Sequence, residues 1–204
     1  MRLLALDVRD AEAVDRAIGA LPDAWKAIEV VVNNAGLSRG LDKLHEGERT
    51  DWDEMIDTNV KVVLHVDRAV VPLLVARGRG TVIHLGSIAG RQTYPGGNVY
   101  CASKHAVRAL NEGLRLDLLG TGVRVATVDP GMVADTEFSL VRFHGDAERA
   151  AAVYRGLTPL TPADVADAIV YVATRPPHVN IAETVILPTD QASATNVHRR
   201  SDAR

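Results

Sequence analysis

Five short apolar runs rich in β-branched residues recur along this chain, and longer stretches of helical periodicity fill the gaps between them. This alternation constrains the fold more than any other feature, because strands joined through helices pair in parallel and need helices on both faces of the sheet. The runs are LLALDV (3–8), IEVVVN (28–33), GTVIHLGS (80–87), VRVATVD (123–129) and TVILP (184–188). They predict an α/β chain with a doubly wound parallel sheet. EVVVN and TVIHL are continuously apolar, which predicts strands buried on both faces.

Helices are expected over about 10–20, 50–77, 98–119, 146–154 and 162–174. The longest carries Trp52, Met55, Ile56, Val60, Val63, Leu64, Val66, Val70 and Leu74 close to a 3.6-residue period. The last is specified at its start by Thr161 as N-cap, Pro162 at the first helical position and Asp164 in the first turn. It stops before Pro176-Pro177, which cannot continue a helix. The 204 residues are 47% hydrophobic, enough to bury a core. They contain no repeat, low-complexity segment or linker, so residues 1–204 read as a single domain.

Several function classes fall away. The net charge is −3 and no Lys/Arg block interleaves with aromatics, so a nucleic-acid partner is not expected. No apolar run approaches the ~18–20 residues of a membrane span, and MRLLALDVRD has too short an apolar stretch for a secretory signal. A single cysteine, Cys101, excludes an internal disulfide. A cytoplasmic protein is the expectation. Among seven histidines no two stand at i,i+4 and none has a CxxC partner, so no metal is expected.

Ligands of such sheets bind outside the carboxyl ends of the strands. Those ends carry Asp7-Val8, NNAG at 33–36, GSIAG at 86–90 and DPGMVADTEF at 129–138. Just downstream lies GGNVYCASKHA (96–106), where Tyr100 and Lys104 share one helical face. A phenol of pKa ~10 is a poor base at neutral pH, and a nearby ammonium favours its ionised form, so the pair suits general acid/base work. Alone it is weak, since Tyr-x-x-x-Lys arises by chance in roughly one chain in three of this length. Ser87 at a strand end offers a hydroxyl for a substrate carbonyl. Asn59 is a poor helix former within an apolar helix, where a lone Asn is more often a local hydrogen-bonder.

Taken together, NNAG, Asn59, Ser87, Tyr100, Lys104 and DPG resemble the short-chain dehydrogenase/reductase family. That resemblance implies a Rossmann sheet and hydride transfer between NAD(P) and an alcohol or carbonyl. It further implies Tyr100 as general acid/base and Ser87 as carbonyl orienter. Lys104 would bind the nicotinamide ribose and lower the Tyr100 pKa, and Asn59 would hold a proton-relay water. Asp7-Val8 resembles the pair that meets adenine, and Asn34-Ala35-Gly36 the turn on the adenosine side. Pro130, Gly131, Met132, Val133 and Thr136 resemble the loop around the nicotinamide and diphosphate.

The segments GGNVYCASK, TEFSLVRFHGD, LTPADVADAIVYVATRPPHVNI and ATNVHRR are similar to the NADP-dependent 3-hydroxy acid dehydrogenases, which act on L-allo-threonine, L-serine or 3-hydroxypropionate. The implied cofactor is NADP and the implied substrate bears a carboxylate. Arg142 is the candidate cation for it, with a solvent-facing loop arginine as the equal alternative. In this group the tail packs between subunits of a tetramer, whereas composition alone makes NVHRRSDAR a solvated basic end.

Members of the family open with a strand, a Thr-Gly-x-x-x-Gly-x-Gly turn, a helix and a second strand, and none of these stands in this sequence. The expectation is a sheet lacking its first strand–helix–strand unit, an incomplete N-terminus, and loss of tight NADP binding. Strand 28–33 would then present a bare edge, open either to strand 3–8 slipping into the vacated slot or to aggregation. A cofactor-free oligomerising fragment and a reductase of another carbonyl remain as alternatives. Val62 stands where the family commonly has Gly.

Overall fold

The structure is a computed structural model and describes residues 1–200. Helices α1 (Ala11–Gly19) and α2 (Asp23–Lys26) precede the first strand. Four strands, β1 (Val30–Asn33), β2 (Gly80–Leu85), β3 (Val123–Pro130) and β4 (Glu183–Ile186), form one parallel sheet in the order β1-β2-β3-β4. Between β1 and β2 run α3 (Arg49–Ile56), a π-helical turn (Asp57–Lys61) and α4 (Val62–Arg77). Helix α5 (Asn98–Asp117) joins β2 to β3. Helices α6 (Phe138–Arg142), α7 (Ala147–Ala152) and α8 (Pro162–Ala173) lie between β3 and β4.

The two faces of the sheet are covered by different helices. Val82 and Val125 meet Val70 and Leu74 of α4 and Leu118 beyond α5. Ile83, Ala126 and Val128, on the opposite face, meet Val165 and Val172 of α8. Burying each of the Val, Leu and Ile side chains among these contributes about 1.5–3 kcal/mol, and Ala126 less. Helix α8 starts as its sequence dictates: Thr161 and Asp164 form a reciprocal capping box with Pro162 behind it.

Three expectations need correction. Residues 3–8 form no strand, and Leu3 and Leu4 are exposed, so this segment does not fill the slot beside β1. An apolar run alone cannot make a strand without a partner for its backbone groups. Second, β1 is an edge pairing only with β2 among the described residues. Val31 packs under α4, but Val30 and Val32 point to the other face and are 41% and 38% exposed. EVVVN is therefore buried on one face, not two.

Third, the helix expected over 50–77 is interrupted by the turn at Asp57–Lys61. A π turn inserts one extra residue and rotates what it carries, a device that recurs at functional sites. Here it carries Asn59, 1% exposed. No helix among the described residues is long and apolar enough to cross a membrane.

Candidate active site

The ends of β2 and β3, the NNAG segment, α6 and the start of α5 converge on one cavity of about 720 Å³. Its walls include Asn34, Gly36, Ser87, Tyr100, Lys104, Pro130, Gly131, Met132, Val133, Thr136 and Arg142. Asp7, Val8, Ala35 and Asn59 are not among the lining residues. Asp7 is exposed and held by Arg9, and the Val8 carbonyl lies 3.2 Å from His65 Nδ1.

Ser87 follows β2 and caps the 3₁₀ turn Ile88–Gly90, its Oγ accepting from the Ala89 N–H at 3.1 Å. Tyr100 and Lys104 lie on α5 at 8% and 6% exposure. Burial pushes the Tyr100 phenol up to about 12, reinforced by Tyr94 and opposed by the Ser87 hydroxyl and the Arg142 charge. Burial also draws the Lys104 ammonium down to about 8, against the pull of the Asp129 carboxylate. One cause, the removal of water, thus disfavours the charged form of both groups, while Lys104 at about 8 still carries its charge at neutral pH.

Lys104 Nζ donates to the Leu85 carbonyl at 2.9 Å. Asn59 does not face the cavity. Its Oδ1 accepts from the Leu37 N–H and its Nδ2 donates to the Leu37 carbonyl, both at 2.8 Å, and Nδ2 also donates to Ser103 Oγ at 2.9 Å. The sequence marked Asn59 as out of place in a helix, and both a local hydrogen-bonding role and a site role were open. The side chain is committed to fixing the NNAG turn.

Two cues bear on a dinucleotide. A Cβ added at Gly36 would stand 3.2 Å from Asn59 Oδ1 and 3.4 Å from Lys104 Nζ, so only glycine leaves that cradle open. Lys104 has one hydrogen-bond partner and three donors. These residues fit the nicotinamide ribose end of such a cofactor.

Arg142 lies across the cavity on α6. Its Nε donates to Ser38 Oγ at 2.9 Å and its Nη2 to the Tyr94 hydroxyl at 2.6 Å. The guanidinium stands 5.1–5.8 Å from the rings of Phe138, Tyr100 and Tyr94. It is held by hydroxyls and aromatic faces, with no carboxylate spent on it among its hydrogen bonds.

Sequence reasoning missed Tyr94, Tyr154 and Gln191 in the cavity wall. It also missed Arg91, which bridges Asp129 and Glu183 at the ends of β3 and β4. No local pattern marks them. Among the described residues no cluster of three or more His, Cys, Asp or Glu could hold a metal ion. As far as Arg200 the tail is exposed yet anchored: Arg199 donates to the carbonyls of Arg155 and Val153, and Arg200 pairs with Asp190. The rest of it, 201–204, lies outside the described residues.

A Tyr and a Lys one turn apart, a Ser at the neighbouring strand end and an Asn-fixed glycine turn define a recurring kind of site, and residues 1–145 match the short chain dehydrogenase family. The chain belongs to that family, whose members are oxidoreductases. It is 48% identical over 195 residues to the NADP-dependent 3-hydroxy acid dehydrogenase YdfG of Salmonella typhi, covering 95% of this chain and 79% of the relative. It is 47% identical over 193 residues to the sulfoacetaldehyde reductase of Chromohalobacter salexigens, covering 94% and 76%. The closed form of serine dehydrogenase complexed with NADP+ superposes with a TM-score of 0.91 at 46% identity, covering 96% of this chain and 79% of that one.

Proposed function

We propose that this protein interconverts a short 3-hydroxy acid and its 3-oxo or semialdehyde form with NADP, using Tyr100 as general acid/base. The observation that carries this reading is the position of Arg142. A guanidinium with no carboxylate partner among the described residues lines the same cavity as Ser87 and Lys104, 5.3 Å from the Tyr100 ring. A carboxylate or similar anion completes its hydrogen bonding and holds the neighbouring carbinol against Tyr100.

NADP, when bound, supplies the hydride acceptor. As the phenolate, formed when its own proton leaves to solvent, Tyr100 Oη takes the substrate hydroxyl proton in oxidation; as the phenol it gives that proton to the carbonyl oxygen in reduction. Ser87 Oγ donates to the oxygen that becomes the carbonyl. Lys104 offers its remaining donors to ribose hydroxyls, and its positive charge lowers the cost of ionising the phenol it shares a face with. Gly36 leaves room for this because Asn59 fixes the backbone of Leu37.

Oxidation of L-allo-threonine, L-serine and 3-hydroxypropionate at saturating NADP, followed at the NADPH absorbance, tests the reading. Turnover of none of them, with turnover of uncharged secondary alcohols instead, would overturn it. A second reading, reduction of a carbonyl that bears a different anion, is favoured by the sulfoacetaldehyde reductase relative and by a guanidinium that accepts a sulfonate as readily as a carboxylate. The same substrate panel, extended to sulfoacetaldehyde with NADPH, separates them. We also infer a cytoplasmic homo-oligomer, a tetramer; Leu116, in the last turn of α5, and Leu119 just beyond it are 69% and 87% exposed and give a second copy an apolar surface to cover. Light scattering measures that assembly.

A further inference from the structure

Gln191 is a buried polar side chain in the cavity wall that the chemistry above does not use. Its Oε1 accepts from the Met132 N–H at 2.8 Å, and its Nε2 donates to the Ser193 carbonyl at 3.1 Å. The approach is close enough to require glycine next door: a Cβ on Gly131 would come within 2.2 Å of Gln191 Oε1 and 2.8 Å of Leu187 Cδ2. The Gly131 N–H is itself held by the Ile186 carbonyl at 2.8 Å. Two successive amides at the end of β3 are thus fixed by residues that follow β4 or end it.

The segment bearing Gln191 is firmly framed. Gln191 and Val197 form an antiparallel bridge, and the His198 N–H donates to the Asp190 carbonyl at 2.7 Å. The Asp190 carboxylate accepts from the Thr158 N–H and pairs with Arg200. On the other side the Ala194 N–H donates to Gln92 Oε1 at 2.9 Å, five residues beyond Ser87 in the chain. Residues 188–200 are therefore a strap that touches the loop following Ser87, the loop following β3 and the connection after α7.

We propose that Gln191 is a positioning residue: it sets the backbone of Gly131 and Met132 at the cavity wall, with the strap 188–200 as its frame, and so places the reactive ends of cofactor and substrate. This rests on the reading of 130–136 as the segment beside the nicotinamide. The physical reason is that an irregular backbone has no ladder to hold it, so its amides take whatever acceptor the fold supplies. A misplacement of about 1 Å at a reacting centre costs on the order of 100-fold in rate.

The test compares Gln191→Met, which keeps length and loses both polar atoms, with Gln191→Glu. A protonated Glu offers the same acceptor to Met132 and a donor to Ser193, and its burial beside a carbonyl favours that neutral form. The Met variant should keep the melting temperature within a few degrees while raising KM for NADP about tenfold, as expected when both Gln191 hydrogen bonds are lost and the Gly131–Met132 backbone shifts. The Glu variant should approach the parent KM as pH is lowered from 8 to 6, and the Met variant should not. A folded Met variant with the parent's KM and kcat, or equal impairment of both variants at every pH, overturns the proposal.

Amide hydrogen exchange on the unsubstituted protein gives a second answer that needs neither variant nor activity. The Met132 N–H should be protected to the level of the Gly131 N–H, and rapid exchange at Met132 overturns the proposal. Absence of any NADP-linked turnover in the unsubstituted protein would instead overturn the proposed function, with the exchange measurement still deciding the strap.

Discussion

The Asn59 carboxamide grips both backbone groups of Leu37, the N–H and the carbonyl each at 2.8 Å. This couples a turn of π-helix between α3 and α4 to Leu37, 22 residues earlier and directly after the NNAG segment, beside Gly36 where an added Cβ would crowd Lys104 Nζ. Replacing Asn59 by Leu leaves two Leu37 groups and the Ser103 hydroxyl without that partner. Stability should fall by about 2–4 kcal/mol, measured by urea unfolding, because each buried group left unpaired costs about 1–3 kcal/mol and some relaxation follows.

The buried Lys104 predicts an unusual alkaline response. Its folded value of about 8 lies below the unfolded ~10.4, so between these values the unfolded chain binds more protons and stability rises with pH. The gain is on the order of 3 kcal/mol across the window. Tyr100 acts in the opposite sense: its folded value of about 12 exceeds the unfolded ~10, so its contribution to stability is lost as pH rises from 10 towards 12. Urea midpoints between pH 7.5 and 10 should therefore climb in the parent, and Lys104→Met should flatten the climb.

Arg142→Gln removes the charge while leaving a polar side chain on α6. It should raise KM for carboxylate-bearing substrates about 10- to 100-fold, the worth of a charge-assisted hydrogen bond, and leave KM for an uncharged alcohol nearly unchanged. Steady-state kinetics on the two substrate classes checks this. Equal losses on both would place Arg142 in the support of Tyr94 and Ser38 instead.

Among the described residues β1 is an edge strand, and it exposes Val30 and Val32. Val32→Lys should raise the concentration at which the protein self-associates, with little change in melting temperature, because a charge on an edge strand opposes pairing with another chain. Light scattering over a concentration series reads the effect.

Much of the fold was legible in the sequence because it is locally specified. Thr161, Pro162 and Asp164 carry the start of α8 within four residues, and VRVATVD carries a central strand in its β-branched run. The candidate residues Ser87, Tyr100 and Lys104 could be brought together for a different reason: they follow a strand end or lie in the first two turns of a helix that the alternation itself locates, and they line one cavity. What stayed hidden depends on partners distant in the chain. LLALDV has the composition of a strand and no strand to pair with, and EVVVN cannot show which of its faces a helix covers. Asn59 was visible as an anomaly, but its partner Leu37 is fixed only when the π turn rotates it inward. Gln191 and Tyr94 carry no local signal, since their roles are set by backbone and guanidinium groups reached through the fold.

The most direct test of the central claim is the rate of NADP-linked oxidation of L-allo-threonine, L-serine and 3-hydroxypropionate by the parent and by Tyr100→Phe, at saturating cofactor. The substitution removes one oxygen from a side chain packed edge-on against Phe138, so the fold should persist. The account predicts a loss of about 100- to 10,000-fold in kcat with NADPH binding retained, as expected for removal of a general acid/base. A Phe variant that turns over at the parent's rate would contradict it.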